Sequence, residues 1–140
     1  MTVRSVTVSG PRPAEDVWDR YVRPRRWPEW SPQIRYADHP AETIAPQQTG
    51  VVHGRGGIRV PFRILDVDAT GPVRSWSWAV RVAGLRLHLR HTVEPIAGGT
   101  RAGLVVSGFA PVVLLYLPVA RMALRRLVGH RPRRAPLPGR

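Results

Sequence analysis

The stretch from Ala102 to Ala120, AGLVVSGFAPVVLLYLPVA, runs for 19 residues without a charge and has an arginine at each end. About 20 apolar residues suffice for a helix across a bilayer, and the arginines that follow would suit its cytoplasmic side. The same run can instead be divided into a strand and the start of a buried helix. Ser107-Gly108-Phe109-Ala110-Pro111 stands at its middle, and glycine and proline make a natural break between two elements. Its first half completes a hairpin begun at Leu85, so the divided reading is adopted: a last strand, then a terminal helix.

The residues before it justify that division. Val3, Val6 and Val8 alternate with polar residues up to Gly10-Pro11 and predict a first strand, with no signal-peptide apolar block. Pro13-Ala14-Glu15-Asp16 reads as a helix start, with proline in the first turn and acids at the positive end of the dipole. The helix should run to about Val22, with Val17, Trp18, Tyr21 and Val22 at helical spacing and Pro24 stopping it. Trp27 and Trp30, three apart in RRWPEWSP, share one side of a single short turn. That pair either plugs one end of the core or rims the mouth of a pocket. Ile34 to Ala37 reads as a short strand and Asp38 to Gln48 as a loop with two prolines.

From Thr49 the pattern is β. Segments Val51–His53, Ile58–Asp68, Val73–Val82, Leu85–Glu94 and Thr100–Phe109 are joined by turns containing glycine, which describes an antiparallel meander. Alternation puts Val60, Phe62, Ile64, Trp76, Trp78, Val80, Val82, Leu85, Leu87, Leu89, His91 and Val93 on one face. Arg59, Arg63, Arg81, Arg86, His88 and Arg90 fall on the other. A sheet with one apolar and one cationic face needs a cover on the first. Taking Ala102–Ala120 as a membrane span would leave that face bare. The cover is the terminal helix, where Val113, Leu117, Ala120, Leu124 and Leu127 recur at steps of three and four and Arg121, Arg125 and Arg126 take the remaining arc. This helix is unusually apolar before Arg121. Pro118 removes a backbone donor, which predicts a kink or break there. Residues 1–130 thus make one domain, and the basic, proline-rich residues 131–140 are expected to be disordered.

Composition limits the chemistry. The chain has 140 residues, no cysteine, and 22 cationic residues that are all arginine, for a formal charge of +13. Without cysteine there is no disulfide framework and no thiolate site, which fits a reducing, cytoplasmic location. The basic balance lacks the aromatic-interleaved motif of a nucleic-acid binder, so no nucleic acid is expected. The arginine face is either a solvated surface or a docking face for an acidic carrier protein or an anionic membrane. No metal or cofactor is expected: His88 and His91, three apart in a strand, point to opposite faces. Gly54, Gly56 and Gly57 lie between strands with no helix to follow, a weak basis for a phosphate cradle.

In this order of elements, the fragments PRPAEDVWDRYVRPRRWPEWSP, VPFRILDVD followed by SWSW, and LRLHLRHTVEPIAGGT resemble the START-like superfamily. That superfamily includes polyketide cyclases/dehydrases and lipid-transfer proteins, the SRPBCC-type helix-grip proteins. The resemblance extends to about Val128 and implies an α+β helix-grip fold, in which a curved antiparallel sheet wraps a long C-terminal helix around an internal cavity. It implies a hydrophobic or amphipathic small molecule, lipid or polyketide-like, in that cavity. Cyclase or dehydrase chemistry is the alternative, although no polar set matches the catalytic residues of the aromatase/cyclases one by one. The expected lining residues are Trp30, Tyr36, Val60, Phe62, Trp76, Trp78, Leu89, His91, Leu117 and Leu124. Were the protein an enzyme, His91 on the apolar face, with the Tyr36 hydroxyl, is the candidate for proton transfer. Against this, a core histidine satisfied by backbone is the plainer reading of His91, and Glu29 between the tryptophans reads as a surface acid.

Overall fold

A computed structural model describes residues 1–129; the tail at 131–140 lies outside the described residues. The elements in order are β1 (Thr2–Gly10), α1 (Ala14–Val22), a 3-10 turn (Pro24–Arg26), α2 (Trp27–Trp30), β2 (Ile34–Asp38), β3 (Thr49–Gly54), a 3-10 turn (Arg55–Gly57), β4 (Arg59–Asp68), β5 (Arg74–Val82), β6 (Leu85–Ile96), β7 (Gly99–Gly108) and α3 (Ala110–Leu127). The seven strands form one antiparallel sheet in the order β1-β7-β6-β5-β4-β3-β2. This is the helix-grip α+β architecture. Strands β2 to β7 are a meander, and the first strand closes the sheet by pairing with the last, Val6 opposite Leu104.

The hairpin between β5 and β6 turns on Ala83-Gly84, both at positive φ (51° and 79°). That backbone matches the right-handed twist of the flanking strands. Alternation holds along β5 and β6, where Trp76, Trp78, Val80, Leu87, Leu89, His91 and Val93 are buried while Arg81, Arg86 and Arg90 are exposed. Leu85, at the turn, is exposed rather than covered. On β4 the alternation breaks at a bulge between Ile64 and Asp66, after which Val67 takes the inward position opposite Trp76. A second bulge lies in β2, between Ile34 and Tyr36. Each bulge adds one residue, bends its strand and exchanges the faces beyond it.

α3 buries Val113, Ala120, Ala123, Leu124 and Leu127, and it runs unbroken through Pro118. The expected break is absent, and Pro118 sits on the exposed arc, where its ring meets water. The far end of α3 is fastened to the start of the chain. Arg12 Nη1 donates to the carbonyls of Arg126 and Leu127, at 3.0 and 2.6 Å, and the Arg12 backbone N–H donates to Val128 O at 2.9 Å. Orphan carbonyls at the helix end are thereby satisfied. Contact is close there: a Cβ on Gly10 would lie 2.4 Å from Val128 O.

Candidate functional site

The concave face is where α1, α2 and α3 meet the sheet, and part of it is filled by rings. Trp27 and Trp30 are buried because a one-turn helix held by Pro24 and Pro28 aims both indoles inward. Their N–H groups donate back to the last turn of α1: Trp27 Nε1 to Tyr21 O at 2.8 Å, Trp30 Nε1 to Arg20 O at 3.2 Å. These carbonyls would otherwise be orphans at a buried helix end. Against them the sheet sets Phe62, Trp76 and Trp78, whose ring centroids lie 5.1 to 5.8 Å from Trp27. Offset and edge contacts at this spacing suit ring quadrupoles.

His91 lies within this cluster, 2% exposed and stacked on Trp76 with centroids 4.5 Å apart. Trp78 Nε1–H donates to His91 Nε2 at 3.1 Å. An indole can only donate, so Nε2 holds a lone pair and the ring proton sits on Nδ1, 3.2 Å from the Tyr21 hydroxyl oxygen that accepts it. Burial lowers the His91 pKa to about 3, and a proton on Nε2 would also face the indole N–H, donor against donor. The imidazole is a neutral core group. Burial, with Tyr116 nearby, raises the Tyr21 hydroxyl well above its usual range.

Beside this cluster a smaller part of the face stays open. A cavity of about 130 Å³ lies between Val60, Val82, Leu87 and Leu89 of the sheet, Ile34 and Gln33 after α2, and Tyr116 of α3, with Trp78 as its wall toward the aromatic cluster. Besides Trp78, whose N–H is taken by His91, two of its residues carry polar groups. Gln33 Oε1 is buried and has no hydrogen-bond partner among the described residues. Burial pushes the Tyr116 hydroxyl up to about 12, so it stays protonated. Among the expected lining residues, Val60, Trp78 and Leu89 border this cavity. Trp30, Phe62, Trp76 and His91 belong to the packed cluster, Leu124 to the core under α3, and Leu117 is half-buried against that core.

Tyr36 is not brought to His91. It is 49% exposed, stacks on His53 with centroids 4.2 Å apart, and lines an outer cleft with Arg25, Arg35 and His39. The bulge after Ile34 turns it outward. The tyrosines that matter inside are Tyr21 and Tyr116. Tyr116 had a signal in the sequence: four residues before Ala120, it falls on the buried arc and is the one hydrogen-bonding side chain between Ala110 and Ala120. Gln33 had none, since a loop glutamine reads as surface.

Outside the concave face the surface is ionic. Glu29 is held by Arg26 at 2.9 and 3.0 Å, and Arg26 also binds Asp19 at 2.6 Å. A broader depression of about 530 Å³ opens on the convex face among Thr49, Arg63, Ala79, Arg81 and Arg86. Among the described residues no group of three or more His, Asp or Glu is placed to hold a metal ion, and no helix is long and apolar enough to cross a membrane.

Residues 1–131 match the model of the family described as polyketide cyclase/dehydrase and lipid transport. The chain belongs to that family. No curated protein matches it. Solved structures share the fold of this family member at low identity. The hypothetical protein jhp0584 of Helicobacter pylori is similar with a TM-score of 0.74 and 13% identity, over 91% of this chain and 85% of that one. Protein MLL2253 of Mesorhizobium loti is similar with a TM-score of 0.70 and 20% identity, over 90% of each chain. BexL, a di-domain ARO/CYC protein of the BE-7585A biosynthetic pathway, gives a TM-score of 0.73 and 16% identity over 93% of this family member but 46% of its own chain.

Proposed function

We propose that the protein binds a small, mainly apolar molecule in the cavity beside Trp78, with one polar group of the ligand directed at Gln33. The observation that carries this reading is the buried, unpartnered Gln33 Oε1 on a residue of a mainly apolar cavity wall. A buried acceptor left unmade costs about 1–3 kcal/mol, which a ligand hydroxyl or amide N–H recovers. Size limits the class. Drug-sized ligands occupy roughly 300–1,000 Å³, whereas a dry cavity of about 150 Å³ takes a single benzene ring. A space of about 130 Å³ therefore suits one ring or a short acyl segment. Family membership supports a hydrophobic ligand.

His91 is assigned to packing rather than to proton transfer. Both of its ring nitrogens are engaged by core side chains, and it does not border the cavity. A cyclase or dehydrase step needs an acid or base within reach of the ligand.

The test compares a cyclic alcohol with its isosteric hydrocarbon by calorimetric titration, alongside mass spectrometry of small molecules that copurify. The alcohol is expected to bind about tenfold more tightly, and Gln33→Leu is expected to erase that preference without loss of fold. Equal affinities in the unaltered protein would refute the role of Gln33. Absence of binding by either compound, with nothing copurifying, would refute the cavity.

A further inference from the structure

Large apolar side chains are exposed mainly at one end of the molecule. The Ala83-Gly84 turn, the Arg55–Gly57 turn and the β7–α3 junction lie at the same end, because Val82 pairs with Leu85, Phe62 with Val80 and His88 with Ser107. Ile58, Leu85 and Phe109 project there, 59%, 38% and 56% exposed. α3 starts at this end, and its first turns add Leu114 and Leu115, 49% and 77% exposed. Single exposed apolar residues are ordinary on any protein, whereas a cluster of five around one corner marks an interaction surface.

The outer arc of α3 changes along its length. Pro111, Leu114, Leu115 and Pro118 occupy it first, then Arg121, Arg125 and Arg126. The helix needs none of these leucines for its own packing, since Val113, Ala120, Leu124 and Leu127 fill the opposite arc. Arg55, Arg59, Arg81 and Arg86 frame the turns, and none of them, nor Arg121 or Arg125, has an ion-pair partner among the described residues. The segments 43–65, 69–93 and 95–140 contain no aspartate or glutamate, so the whole patch is cationic and apolar together.

We infer that this end is a docking surface for an anionic lipid bilayer, with Phe109, Leu114 and Leu115 entering the acyl boundary and the arginines lying on lipid phosphates. A bilayer presents an anionic layer and an apolar layer to the same patch. A second copy of the chain would set arginine against arginine with no acid between them. The inference is independent of what fills the cavity. Tyr116, next to Leu115 in the same turn, lines that cavity from its inner side.

The full chain is tested by flotation with vesicles of phosphatidylcholine containing about 30% phosphatidylglycerol, at about 50 mM salt. It is expected to float with these and to stay down with pure phosphatidylcholine, and about 500 mM salt is expected to release most of it. Leu114→Ser with Leu115→Ser is expected to lower partitioning about tenfold or more with only a small fall in melting temperature, because Leu115 is 77% and Leu114 49% exposed. Arg63→Ser with Arg90→Ser, on the convex face but further from this end, opposite Ala79 and Ser77, is expected to cost only a few-fold. The basic C-terminal segment is present in every variant and contributes equally. Four results overturn the proposal: no flotation at low salt, full binding by the leucine variant, loss of binding through the convex arginines instead, or a dimer by light scattering that the leucine variant dissolves.

Discussion

One concave face carries two regions made from the same strands, and they differ in what fills them. Around His91 the strands β4, β5 and β6 present Phe62, Trp76, Trp78 and His91 to Tyr21 and Trp27, and rings occupy the space. Two to four residues further along those strands, Val60, Val82 and Leu87 face Gln33 and Tyr116, and about 130 Å³ stays open. Side-chain volume explains the contrast. Indoles meet indoles in the first region, while branched aliphatics meet one tyrosine in the second. The lesson is that polarity alone does not mark a site in such a fold: the titratable group sits where nothing can enter, and the space lies where only amide and hydroxyl groups are available.

The largest effect should come from the packed region. Trp76→Ala removes the ring between His91 and Trp27 and is expected to cost about 3–5 kcal/mol in urea unfolding; a loss below about 1 kcal/mol would mean the cluster is loosely packed and the contrast false. His91→Phe keeps the stacking on Trp76 but strands the Trp78 N–H, with an expected cost of about 1–3 kcal/mol. Stability should also fall in acid. The folded His91 pKa is lowered to about 3 from a usual value near 6.5. Between those two values the unfolded chain binds a proton that the folded chain refuses, so stability falls as pH drops below about 6.5 and this loss levels off near 3. The slope is expected to be about 1.4 kcal/mol per pH unit, read as the difference between the parent protein and His91→Phe. The open region should respond oppositely. Val82→Phe, which fills the cavity, is expected to cost no more than about 1–3 kcal/mol while abolishing binding of the cyclic alcohol; retained binding would place the ligand elsewhere.

Most of the architecture was legible because it is written in local periods. Strand alternation, the Ala83-Gly84 and Gly98-Gly99 turns, and the three-and-four spacing of Val113, Ala120, Leu124 and Leu127 each depend on neighbours in sequence. The site was less legible. Tyr36 follows Ile34 by two residues and reads as inward, yet the bulge between them turns it out. Whether a strand bulges depends on its partner's register, which no single segment records. Pro118 reads as a break because the missing N–H is visible locally. That Pro118 falls on the exposed arc is decided by how α3 lies on the sheet.

The uncharged run at 102–120 shows the same division. Its composition and its central Gly-Phe-Ala-Pro determined a strand followed by a helix, since backbone geometry and hydrophobic period are short-range properties. Tertiary structure decided which of its side chains are covered: Val113 is buried, Tyr116 borders the cavity, and Leu114 and Leu115 are left in solvent. Burial is a relation between distant segments, fixed only when α3 is clamped between Arg12 at one end and the curved sheet along its length, and hydropathy along the chain cannot express it.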